Sequence, residues 1–130
     1  MSTIRWPIEL YEEKDGTSPV RDFIDSFPKE KRAKLLAIVD LLSDMGPTLG
    51  FPFSSHVLGK LRELRTHYGR THYRILYAPT RRRGFVLLHA VMKRTASLPE
   101  RDVRIAEQRL HRWESRQASQ QRSFQRSGGP

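Results

Sequence analysis

Residues 61–78 read LRELRTHYGRTHYRILYA, two runs rich in aromatic, branched and long side chains split only by Gly69-Arg70. A two-residue break containing glycine between such runs marks a tight β-hairpin. Side chains alternate faces along a strand, so Glu63, Arg65 and His67 point one way while Leu64, Thr66 and Tyr68 point the other. The second run likewise separates His72, Arg74 and Leu76 from Tyr73, Ile75 and Tyr77. A turn centred on Gly69-Arg70 sets His67 opposite His72 and Arg65 opposite Arg74. Like charges placed directly opposite repel, so an arginine pair there points to a surface kept for an anion, phosphate foremost.

The flanking sequence supplies the remaining elements. Phe85 to Met92 reads as a third strand, joined to Thr71–Ala78 through Pro79 to Gly84. Closing that hairpin about Thr80 to Arg83 puts His89 opposite Arg74, with Leu87, His89, Val91 and Lys93 on one face. The expected site is therefore a row of Arg65, Arg74 and His89 with Lys93 farther along, able to bind a phosphodiester, stabilise an in-line attack and move protons. Its arginines are expected to face substrate, so Arg74→Ala should leave the fold intact.

Upstream, Ile4, Trp6, Ile8 and Leu10 alternate at period two and predict a strand over Ile4 to Tyr11, stopped by Asp15-Gly16. Ser18 and Pro19 open a short helix whose apolar positions are Val20, Phe23, Ile24 and Phe27. After Pro28, the residues Leu35, Leu36, Ile38, Val39, Leu42 and Met45 form the stripe of a second helix that Gly46-Pro47 ends. Thr48 to Gly59 reads as a loop or irregular edge segment. Ser97 with Glu100 matches a capping box, Pro99 suits a first turn, and a third helix should run to about Arg116 with Val103, Ile105, Ala106, Leu110 and Trp113 inward. The fold class is then α+β, in the order β-α-α-β-β-β-α, with helices on one face of a mainly antiparallel sheet. One domain over residues 1–116 is expected, followed by a polar tail at 117–130, apolar only at Ala118 and Phe124 and expected to be disordered.

Composition narrows the chemistry. The chain of 130 residues has no cysteine, which removes disulfides and cysteine-based zinc sites. No signal peptide or membrane span is legible in Met1 to Tyr11, where Arg5, Pro7 and Glu9 interrupt any apolar run, so a cytoplasmic protein is expected. Net charge is +10, and Lys60 to Arg94 holds ten Lys and Arg against a single acid, Glu63. A positive surface focused in this way attracts polyanions, nucleic acid above all, though it also suits an acidic protein partner. There is no phosphate-binding Walker loop, since Ser54 stands where its first glycine should be and Leu61 follows Lys60. No Gly-x-Ser-x-Gly nucleophile motif occurs. His67 and His72 lack a neighbouring carboxylate cluster to complete a metal site, and no cofactor is expected.

Taken in order, Pro19-Val20-Arg21-Asp22-Phe23-Ile24, Glu63-Leu64-Arg65, Tyr73-Arg74-Ile75-Leu76-Tyr77, Val86-Leu87-Leu88-His89, Lys93-Arg94-Thr95 and the Pro99 helix with Ala106 resemble the HigB-like, phage-derived branch of the RelE/ParE toxin superfamily. The resemblance spans Ile4 to Trp113. It implies the toxin of a type II toxin-antitoxin system, a ribosome-dependent mRNA endoribonuclease that uses the substrate's own 2′-hydroxyl and no metal. By that resemblance Arg65 and Arg74 hold the scissile phosphate, and Lys93 or His89 transfers protons. It gives Lys60 and Arg94 supporting phosphate contacts, and with Arg62 and Arg70 they are the residues expected to bind RNA. The implied partners are mRNA, the ribosome and a cognate antitoxin, often a helix-turn-helix DNA-binding protein. Arg62 stands where relatives often carry an aromatic, and Arg94 replaces a second lysine. Two alternatives share the fold: a ParE-like gyrase inhibitor, and an RNA-binding regulatory module that does not cut.

Overall fold

The computed structural model describes residues 5–128. Its described elements are β1 (Ile8–Leu10), α1 (Pro19–Asp25), α2 (Lys29–Met45), β2 (Ser54–Leu58), β3 (Leu61–Tyr68), β4 (Thr71–Pro79), β5 (Phe85–Lys93) and α3 (Glu100–Gly128), with a short 3-10 turn at Gly46–Thr48. The sheet runs β1-β5-β4-β3-β2, antiparallel except where β1 lies parallel to β5. This is the α+β class expected. The segment before the basic region contributes an edge strand, β2, whose apolar positions are too scattered to have announced it. Of the expected first strand only Ile8–Leu10 is extended, and Ile4 lies outside the described residues.

Local chemistry explains the boundaries. Ser18 caps α1 by accepting from the Arg21 amide at 3.4 Å, and Pro19 occupies the first turn, where its missing N–H costs nothing. Gly46 ends α2 with φ +58°, and a Cβ there would lie 2.2 Å from Trp6 Nε1, so close packing as well as backbone conformation demands glycine. Gly69, at φ +61°, is the first central residue of the two-residue turn between β3 and β4. The capping box at the third helix is not formed: α3 begins at Glu100, and Ser97 Oγ pairs with Thr95 Oγ1 at 3.2 Å.

Two apolar clusters share the sheet. Val20 and Ile24 of α1 and Leu35, Ile38 and Leu42 of α2 pack on Leu64, Tyr73, Ile75, Tyr77, Phe85 and Leu87. Ala106 and Leu110 of α3 pack on Leu61, Leu76, Ala78, Val86, Leu88 and Val91. The helices therefore do not all lie on one face, the arrangement expected from sequence; α3 takes the face that α1 and α2 leave bare. The apolar stripe of α3 and the inward residues of β4 and β5 demand this, because strands with Leu and Val on both faces must be covered on both. Leu36 and Met45, counted in the α2 stripe, are exposed. The helix α3 also continues through 117–128, the segment expected to be disordered, because Gln, Ser, Arg and Ala permit helix and no glycine or proline interrupts them before Gly128. The side chain of Phe124, and Gly129 and Pro130, lie outside the described residues.

Candidate nucleic-acid interface

The expected register of the first hairpin is present: Arg65 pairs with Arg74 and His67 with His72. The second hairpin is not as expected. Its turn runs from Thr80 to Gly84, clasped by the Thr80 amide on the Gly84 carbonyl at 2.9 Å, one residue longer than the turn predicted. A bulge then inserts Leu88 between the Tyr77–Leu87 and Leu76–His89 pairs. Each irregularity alone would have turned β5 over; together they shift the register by two residues and restore the face. Arg74 consequently faces Val91, His89 faces Leu76, and Lys93 faces His72. Leu87, expected beside His89, lies in the opposite cluster.

The rows on the α3 side are therefore Glu63–Leu76–His89, then Arg65–Arg74–Val91, then His67–His72–Lys93. The helix covers the first row and the structure leaves the last one open. His67 is exposed, and His72 and Lys93 are half-buried. Opposite Cβ atoms in such a ladder lie about 5 Å apart. Two imidazoles and an ammonium thus line one edge of the face, with Arg65 in the next row, its side chain 29% exposed.

Two of the four expected catalytic groups are not available in this way. Arg74 is buried at 6% exposure, and its Nη1 donates to both carboxylate oxygens of Glu63, at 2.8 and 3.0 Å. Its Nη2 donates to the Ala96 carbonyl, which ties the β5–α3 connection to the sheet. Glu63 also lies 3.5 Å from Arg65 Nε. The single acid of the basic stretch stands between the two arginines, and this relieves the repulsion that the sequence attributes to a waiting phosphate. Arg74 is a positioning residue.

His89 is held in the same manner. Arg109 Nη1 donates to its Nδ1 at 3.0 Å, so that nitrogen must accept, and Nε2 carries the hydrogen that Asp102 Oδ1 receives at 2.7 Å. Arg109 Nη1 also donates to the Leu88 carbonyl at 2.9 Å, at the bulge itself. Both ring nitrogens are engaged, so His89 fastens α3 to β5 and does not present a free proton-transfer group. Neither Asp102 nor Arg109 stands out in the sequence, because a helical acid and arginine seven residues apart carry no motif.

The expected RNA-binding residues divide. Arg70, at the β3–β4 turn, and Arg94, just past β5, are exposed beside the open row. Lys60 lies at the other end of β3 and pairs with Glu114 of α3 at 3.0 Å. Arg62 alternates onto the α1/α2 face, opposite Tyr77, where its Nε donates to Ser54 Oγ at 3.2 Å and that hydroxyl meets Tyr77 OH at 2.6 Å. It is thus separated from the row by the sheet itself. Arg81, Arg82 and Arg83 sit exposed at the β4–β5 turn, the full length of β4 from His72 and Lys93. The positive stretch that is continuous in sequence is spread over both ends and both faces of the sheet.

Two aromatic residues missed in the sequence border Arg65. Phe51 is 77% exposed and Phe53 47%. The Phe53 carbonyl accepts from the Arg65 amide at 2.8 Å, and the Arg65 guanidinium carbon lies 5.2 Å from the centre of the Phe51 ring. Among the described residues no three His, Asp or Glu side chains form a metal-binding group. No described helix is long and apolar enough to cross a membrane.

The family model Phage derived protein Gp49-like (DUF891) matches residues 22–111. That span takes in most of α1, all of α2 and β2 to β5, and α3 as far as His111, and the chain belongs to this family. None of the curated proteins compared with it matches the chain.

Proposed function

We propose that the protein is the toxin of a type II toxin-antitoxin system, a RelE/HigB-like endoribonuclease that cuts ribosome-bound mRNA in the cytoplasm without a metal and is restrained by a cognate antitoxin. Membership of the Gp49-like family and the α+β fold support the toxin reading. The observation that carries the cutting reading is the open row His67–His72–Lys93 with Arg65 beside it, on a face whose remaining charges are internally paired.

In the reaction the 2′-oxygen of one nucleotide attacks the adjoining phosphorus while the bond to the 5′-oxygen breaks. A base takes the 2′-hydroxyl proton and an acid returns a proton to the leaving 5′-oxygen, so a 2′,3′-cyclic phosphate and a free 5′-hydroxyl form with no water consumed. His67 and His72 can serve as the proton-transfer pair, while Arg65 and Lys93 stabilise the charge that builds on the phosphoryl oxygens. Arg70 and Arg94 lie where they can hold the strand on either side.

The test is expression from a tight promoter with 5′ ends of cellular RNA mapped for wild type, Arg65→Ala and Lys93→Ala. Codon-phased cuts that vanish in both variants are expected; the same cuts persisting in both would refute the role of this row. The internal engagement of Arg74 and His89 favours a second reading, RNA binding without cutting. Its outcome is ribosome or RNA association with uncut RNA, whereas uncut RNA with stalled replication would indicate gyrase.

A further inference from the structure

Phe51 stands at the corner of a hydrogen-bonded turn. The amides of Phe53 and Ser54 both donate to the Gly50 carbonyl, at 3.1 and 3.0 Å, and the Phe53 carbonyl is fixed in turn by the Arg65 amide. The turn thus holds two phenyl rings in solvent by backbone bonds, without burying them. An exposed apolar side chain is ordinary by itself. Two on one short turn, one of them lying against a guanidinium, beside a row of imidazole and ammonium groups, form a surface of particular chemistry. It is aromatic and cationic, which suits a polyanion whose units carry flat π faces.

We infer that Phe51 and Phe53 are a stacking platform for an unpaired base of single-stranded RNA, and that Arg65, resting on the Phe51 ring, reaches the phosphate beside that base. The inference rests on the proposed action on RNA and names what positions the substrate. Stacking needs no hydrogen bond to a base edge, so the platform grips strands of any sequence and favours the larger purine rings. Arg65 has two tasks on this geometry. Its guanidinium lies against the ring, with Nε toward Glu63 at 3.5 Å, and these two contacts restrict the side chain before RNA arrives, so less freedom is lost in the phosphate contact.

The experiment compares the full chain with Phe51→Ala and Phe51→Trp. Each binds a short unstructured RNA oligonucleotide and an abasic oligonucleotide of equal length and charge, at fixed salt, with thermal unfolding as a control. The expected result is a loss of about tenfold for Phe51→Ala on the base-bearing strand, none on the abasic strand, and recovery in Phe51→Trp. Phe53→Ala should lose less, as its ring is less exposed. An equal loss on both strands, or none on either, overturns the platform. Loss of self-association in Phe51→Ala with unchanged RNA binding would overturn it as well, since the rings would then serve a protein contact. Failure of the two readings is distinguishable: a wild type that cuts cellular RNA yet binds both oligonucleotides equally removes the stacking alone. A wild type that binds neither and leaves RNA intact removes the cutting function with it.

Discussion

The end of the sheet near the β3–β4 turn looks different from its two sides. On the α1/α2 side the apolar cluster extends to the rim, where Phe27 packs edge-on against Tyr73 with ring centres 5.4 Å apart and Tyr68 reaches across to Glu30 at 3.2 Å. On the α3 side the helix covers the middle of the strands and leaves His67 exposed and His72 and Lys93 half-buried. One strand thus delivers Tyr68, itself 38% exposed, to a rim hydrogen-bonded to α2 and His67 to an edge without such a bond. Beneath α3 the buried charges are paired, and the edge beyond it carries cations. Function is accordingly sought in what α3 leaves uncovered, while the buried polar groups under it serve the fold.

The sharpest way to break that contrast is to treat the two facing arginines alike. Arg74→Ala removes the partner of a carboxylate that is 4% exposed and leaves Glu63 with a buried, poorly compensated charge. A loss of about 3–5 kcal/mol in unfolding free energy is expected, read as a fall in the urea midpoint. Arg65→Ala should cost no more than about 1 kcal/mol, because its side chain is partly exposed and its ion pair is longer. Replacing the pair together, Arg74→Met with Glu63→Leu, should recover much of the stability, as the desolvated charges vanish as a unit. Equal effects from the two single substitutions would show that both arginines face solvent, and the division between paired and open charge would fall.

A smaller effect is expected at the seam beneath α3. Asp102→Ala leaves the His89 Nε2–H without its acceptor in a site where the His89 side chain is 14% exposed. The expected loss is about 1–3 kcal/mol, and hydrogen exchange should quicken first in the opening turns of α3. Unaltered protection there would mean that Ala106 and Leu110 hold the helix without the polar clasp. Cleavage lost with stability unchanged would instead return His89 to the chemistry.

Why the first hairpin is legible in sequence and the second is not has a physical answer. Gly69-Arg70 fixes a two-residue turn, and a fixed turn fixes every pair behind it. Thr80 to Gly84 is a longer turn, and Leu88 makes a bulge, with no proline or glycine in β5 to announce it. Beyond the bulge two single-residue shifts preserve parity, so His89, Val91 and Lys93 keep the expected face with other partners, while Leu87, before it, takes the opposite one. The inversion of roles at Arg74 has a different origin. Alternation puts Glu63 and Arg65 on one face, but whether a carboxylate neutralises the diagonal arginine depends on burial, which α3 and the chain through Ala96 create from 22 residues downstream. Phe51 and Phe53 fall within a segment legible only as loop or irregular edge, since nothing local says that a phenyl ring will remain in water. Asp102 and Arg109 converge on His89 only once the helix is docked.

The least effect is expected at the rim where Tyr68 meets Glu30, and it carries a pH signature. The Tyr68 hydroxyl donates to the Glu30 carboxylate, and that hydrogen bond, with the repulsion a phenolate would meet there, raises the Tyr68 pKa above its ordinary value near 10.0. A pKa raised on folding means that the neutral phenol is the form the native state prefers. Its contribution is therefore present below the unfolded-state value and is lost as pH climbs through the higher folded-state value. Wild type should exceed Tyr68→Phe slightly in urea midpoint at pH 8, and the difference should vanish or reverse on titration beyond pH 10. No difference at any pH across that range would show that Tyr68 contributes only its ring, through Lys31 Nζ held 5.7 Å from the ring centre, and the seam at this rim would be one of packing without the hydrogen bond.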